Sequence, residues 1–183
     1  VAQGINALRF LRTNLSTHAL LNFFHAHIQS QISYCAFALL RCRTMDIERL
    51  QRLQSKALRV IFNLSDSHSS FELFTNEAKE IMCVCGLIYY SALMMVKKSL
   101  FCTDDSLPII RKLRSTRQFN LALSSGNNKK IKVNDITHIG CRLFNELPND
   151  IKKENNISLF KNQLNKFITE RNKSLIKHGQ FTS

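Results

Sequence analysis

The stretch Asp46-Ile-Glu-Arg-Leu-Gln-Arg-Leu-Gln-Ser-Lys-Ala-Leu-Arg-Val-Ile-Phe-Asn63 decides the fold class. Ile47, Leu50, Leu53, Ala57, Leu58 and Ile61 fall on one face at helical spacing. Arg49, Arg52, Lys56 and Arg59, at steps of three and four, form a stripe on the opposite face. Asp46 and Glu48 stand near the start, where the helix dipole favours acids. Such a stripe is usually a solvated face. Four positive charges with no acid between them also make it a candidate phosphate-contact surface.

Helical patterning extends to both sides of this segment. Ser16 or Thr17 can cap a helix carrying Leu20, Leu21, Phe24, Ile28 and Ile32. Phe71 to Phe74 reads as a short helix, and Ile81 to Leu100 as a buried one closed by Lys97 and Lys98. Its apolar core, Ile81 to Val96, falls short of the roughly 20 apolar residues that a membrane span needs. Asp135 to Leu147 fits a helix ended by Pro148, and Ile157 to Lys173 another with Phe160, Leu164, Phe167 and Ile168 as its apolar stripe. Between them, Phe119 to Leu123 and Ile131 to Val133 alternate like strands around a loop at 124–128, which predicts a hairpin. The expected fold is therefore mainly α: a helical bundle followed by a small basic α+β segment with a short hairpin and two C-terminal helices. Four regions follow from this: a helical part over 1–101, a basic linker over 102–118, a basic extension over 119–175 and a frayed tail over 176–183.

Charge narrows the function classes. The 183 residues hold 26 Lys+Arg against 13 Asp+Glu, a formal net charge of +13. The excess is uneven, with 11 basic and 8 acidic residues over 1–105 but 15 and 5 over 106–183. That balance points to an anionic partner, nucleic acid before a membrane surface. Arg111, Lys112, Arg114 and Arg117 form a second candidate cluster, followed by Lys129 and Lys130. Arginines there can fork onto phosphate oxygens, which positions a nucleic acid without reading its sequence. Apart from Phe119, no aromatic residue interleaves with the basic ones at either place, so base stacking is not expected there. The competing reading is a stand-alone helical module whose basic surface meets an acidic protein partner.

Catalytic and metal motifs are weak. Asp104-Asp105 resembles the metal-holding pair of a [FY]xDD hairpin, but Cys102 stands where the aromatic should be. His25 and His27, like Cys83 and Cys85, are two apart and point to opposite sides of a helix, so neither pair is expected to share a metal. HExxH, GxSxG and GxxxxGK[ST] are absent from the sequence. The six cysteines form no CxxC, and four sit in apolar surroundings, as reduced core thiols of an intracellular protein would. No signal-peptide pattern opens at Val1, and none is expected.

Several segments, in order, resemble the region after the palm of non-LTR retrotransposon reverse transcriptases of the jockey-like group. His25-Ala-His-Ile-Gln-Ser-Gln-Ile-Ser-Tyr-Cys35 resembles their HSHLSYC segment, and Leu50 to Ile61 their LQxLQNKAIRxI helix. Thr116-Arg117 lies where they carry NTR. Arg142 to Ile151 is similar to KLWNSLPxxI, and Ser158 to Leu164 to SxFKxxL. The likeness covers about residues 1–170 and implies a thumb-like helical part plus a C-terminal extension. It implies that the RNA-directed DNA polymerase aspartates and their Mg belong to an upstream palm, leaving no catalytic residue, metal site or cofactor in this chain. The implied partners are RNA or DNA and the upstream fingers and palm of the same polyprotein, with no membrane and no small-molecule substrate, in the nucleus or cytoplasm. Leu39-Leu40 stands where the family has Trp-Gly, and Phe144 where it has Trp. These departures fit a diverged or decayed copy, and a start at Val1 fits a fragment.

Overall fold

A computed structural model describes residues 1–101 and 136–178. Among the described residues the fold is mainly α and contains no strand. The hairpin expected over 119–133 and the linker over 102–118 lie outside them, as do Asp104-Asp105 and Cys102. The helices are α1 (Ala2–Leu11), α2 (Thr17–Phe24), a π turn (His25–Gln29), α3 (Ser30–Leu39), α4 (Thr44–Phe62), α5 (Ser70–Thr75), α6 (Val84–Phe101), α7 (Ile136–Asn145), α8 (Asn149–Lys153), α9 (Ile157–Glu170) and α10 (Asn172–His178). The chain divides into two compact units, residues 1–88 with 168–183, and residues 89–167. The divisions fall inside α6 and α9.

In the first unit, α1 packs on α2 and α4, and α5 on α4 and α10. Ser16 caps α2, its Oγ accepting from the Ala19 N–H. From there Leu20, Phe24, Ile28, Ile32 and Ala36 are buried at intervals of four. Four residues of α-helix overshoot a full turn by about 40°, so a run of such intervals drifts off one face. The π turn, with its wider i→i+5 winding, takes up that drift and keeps α2 and α3 on one core. At its other end α4 closes on Asn63, whose φ of 58° is left-handed, and Arg59 C=O accepts from both Asn63 and Leu64 N–H.

The start of α6 is fastened by side-chain amides rather than by a conventional cap. Asn172 Nδ2 donates to Ile81 C=O (2.8 Å), and its Oδ1 accepts from Cys83 N–H (3.2 Å). Gln54 Nε2 donates to Met82 C=O (2.8 Å) and to Gln29 Oε1 (3.0 Å). Gln51 Oε1 accepts from Val84 N–H (2.8 Å). Gln54 and Asn172 are buried. Gly86 permits the approach of the neighbouring chain here: a Cβ on it would stand 3.0 Å from Ile168 Cγ2.

In the second unit Leu93, Val96, Phe144, Phe160 and Leu164 are buried. A Cβ on Gly140 would stand 2.8 Å from Val96 Cγ2, so the glycine sets how closely α7 meets α6. Lys97, one of the two lysines that close the apolar run of α6, is buried. Its Nζ donates to Lys152 C=O (2.9 Å) and lies 4.8 Å from the centre of the Phe160 ring. Lys152 is also buried and donates to Asn145 C=O (2.7 Å). Among the described residues no helix is long and apolar enough to cross a membrane.

Two predictions follow from this packing. Asn172→Ala leaves Ile81 C=O and Cys83 N–H without their partner, and each buried orphan costs about 1–3 kcal/mol. Urea unfolding should show a loss of at least about 2 kcal/mol, whereas Asn162→Ala on the exposed side of α9 should change little. The second concerns alkali. Burial pushes the Cys83 thiol up to about 12, aided by Cys85, and Cys85 up to about 11. Both folded values lie above the ordinary 9.0, so the stabilisation is complete below about pH 9 and is lost as pH rises toward them. Lys152, lowered by burial, works in the opposite sense as pH climbs toward the ordinary lysine value. The urea midpoint should fall between about pH 9 and 11, and the Cys83→Ala, Cys85→Ala double variant should show a flatter decline.

Candidate nucleic-acid interface

The four basic residues of α4 do not share one environment. Arg49 lies 3.5 Å from Asp46, one turn back, and Arg52 lies 3.6 Å from Glu48. These exposed pairs contribute at most about 1 kcal/mol each, so both guanidinium groups remain open to a stronger anion. Lys56 is half-buried and makes no ion pair among the described residues. Arg59 has a structural task. Its Nε donates to His68 C=O (2.9 Å) and its Nη2 to Ser70 Oγ (3.1 Å), tying the end of α4 to the loop that enters α5. His68 in that loop stands between Glu72 (3.9 Å) and Glu77 (3.8 Å). The α4 stripe thus offers Arg49, Arg52 and Lys56 to a ligand, while Arg59 is already engaged. Arg111, Lys112, Arg114, Arg117, Lys129 and Lys130 lie outside the described residues.

A second set of exposed basic residues escaped the sequence pattern. Residues 1–45 contain no Asp or Glu, and their Arg9, Arg12, Arg41 and Arg43 are all exposed. Arg12 Nη2 donates to Asn63 Oδ1, where α1 meets the end of α4. Arg41 and Arg43 follow α3 in a tight turn, with Arg41 N–H bonded to Ala38 C=O (3.2 Å). The signal for these residues is the acid-free run itself, which a search for clusters of positive charge passes over.

The described cysteines and histidines are dispersed over the fold. Cys83, Cys85 and Cys141 are buried and Cys35 and Cys42 exposed, all five as free thiols. Burial raises the Cys141 thiol as it does the other two, which makes these buried thiols poor nucleophiles at neutral pH. Exposed His27 rests against Phe23, their ring centres 4.5 Å apart, and His25 meets the edge of Phe24. Among the described residues no group of three or more His, Cys, Asp or Glu is placed to hold a metal ion.

Comparison with protein-family models, curated proteins and solved structures finds no match to this chain.

The different environments on α4 separate binding from stability. The Arg52→Gln, Lys56→Gln double variant should keep its melting temperature and lose about one to two units of salt slope, if both side chains touch phosphate. Arg59→Gln should lower stability by about 1–3 kcal/mol through loss of its two hydrogen bonds. Thermal melts alongside gel-shift titrations at several salt concentrations check both.

Proposed function

We propose that this chain is the post-palm, thumb and C-terminal-extension region of a jockey-like non-LTR retrotransposon reverse transcriptase. In this reading it has no catalysis of its own and holds the backbone of a template–primer or of the element RNA. It works inside the cell, in nucleus or cytoplasm, beside the fingers and palm of the same polyprotein. The observation that carries the nucleic-acid reading is the distribution of charge. Residues 106–134 hold seven basic residues and no acidic one, and residues 1–45 hold four arginines and no acid. The ordered segments from His25 to Leu164 support the family, and the mainly helical fold agrees with a thumb-like part.

The physics of such a surface is counterion release. Each phosphate neutralised by Lys or Arg frees a condensed cation, so log K falls by about 0.9 per contact on duplex DNA and about 0.7 on single strands for each unit of log salt. Backbone contacts of this kind are tolerant of sequence. Catalytic Mg and its aspartates belong, in this reading, to the upstream palm.

Two assays test the proposal. A gel-shift titration at low and moderate salt should show salt-dependent binding with little sequence preference, and absence of binding at low salt would leave the acidic-protein partner as the better reading. Primer extension by the isolated chain with template, dNTPs and Mg should give no product. Incorporation that vanishes in Asp104→Ala would place the polymerase pair in this chain after all.

A further inference from the structure

The α3 surface displays two aromatic rings, and two exposed arginines, Arg41 and Arg43, follow the helix. Tyr34 is 92 % exposed and Phe37 38 % exposed. Residues i and i+3 of a helix lie on one side, about 4.5 Å apart along the axis, and Arg41 follows within two further turns. Ser30 and Ala38, four residues either side of Tyr34, are small and exposed, so a planar group can approach the phenol ring along the helix. The core side of α3 is supplied by Ile32 and Ala36, so Tyr34 is not required for packing. Arg41 and Arg43 make no ion pair among the described residues, and the nearest carboxylate in sequence is Asp46, whose partner is Arg49. Exposed rings followed in sequence by two exposed arginines, on a segment without acids, fit a ligand with both planar bases and phosphates.

We propose that the α3 face, with Tyr34 and Phe37 as stacking surfaces and Arg41 and Arg43 as phosphate contacts, is a binding site for single-stranded nucleic acid. The inference rests on the nucleic-acid reading above and adds to it a preference for unpaired bases. A duplex keeps its bases stacked on each other, so only an unpaired strand can offer them to Tyr34. The two arginines that follow the rings, in a run without acids, favour this occupant over an apolar protein surface.

Fluorescence anisotropy with the full chain tests it, using labelled oligothymidylate, the same backbone carrying abasic sites, and a duplex of equal length. Tyr34→Ala should raise the Kd for oligothymidylate about tenfold, leave the salt slope unchanged because no charge is removed, and leave the duplex and abasic affinities unaltered. Tyr34→Trp should retain the affinity. Arg41→Gln with Arg43→Gln should reduce the salt slope. All these side chains are exposed, so the melting temperature should hold in each variant. An unchanged Kd in Tyr34→Ala with salt-dependent binding intact would overturn the stacking site and leave the phosphate reading standing. An equal loss on duplex and single strand would also overturn it. A chain that sediments as a dimer, made monomeric by Tyr34→Ala, would assign the face to a second copy. Absence of binding to any of the three probes would remove the nucleic-acid reading itself.

Discussion

The entry into α6 is the joint on which the first unit depends. The residue preceding the helix is Cys83, and its thiol is a weak acceptor for the Gly86 N–H (3.3 Å). Serine or aspartate would cap this end from within the same turn. Here the backbone polar groups from Ile81 to Val84 are met instead by amide side chains on the π turn, α4 and α10. An amide can donate and accept at once, so Asn172 holds a carbonyl and an N–H in one segment. Three separated elements thereby fix the path of the chain at a place where a local cap would have fixed only one turn. The arrangement is costly to disturb because the groups involved are shut off from water.

The π turn belongs to the same constraint. Gln29 is its last residue, and the amide of Gln29 both accepts from Gln54 and donates to Met82 C=O (3.4 Å). One wider turn thus serves two ends: it keeps residues spaced at four on a single core face, and it supplies an amide to the joint.

Much of the helical architecture was legible in the sequence. The apolar spacing placed α4, α5, α6 and α7 to within a few residues, and it identified Ile47, Ala57, Leu58, Ile61, Phe144 and Phe160 as core. What periodicity could not show was polar burial. Gln54 and Ser55 lie on the buried face of α4, yet composition alone reads a glutamine between Arg52 and Lys56 as surface. The burial of Lys97 was hidden for a related reason, since a long side chain can be enclosed when a carbonyl and an aromatic ring receive its ammonium. The break between α9 and α10 was also hidden. Arg171 N–H turns back to Ile168 C=O (3.0 Å), and Asn172 then leaves the surface for the core, in a run that reads as continuous helix. For the candidate site, α4 was found by its stripe, but the task of Arg59 depended on a loop partner that no pattern announces. Tyr34 and Phe37 were visible as letters, but their exposure was not.

The position of Asn172 has a consequence for the order of events on the ribosome. It closes bonds with Ile81 and Cys83 across about ninety residues of chain. Helices α1 to α5 emerge ahead of Asn172 and lack this partner until everything from 89 to 171 has been synthesised. At roughly 5–20 residues per second, that is a delay of several seconds or more. Through that interval the start of α6 must stay partly unsatisfied or be sheltered by something else. The first unit thus begins to appear before the second and is finished after it, and its completion is timed by translation of the residues between its two parts.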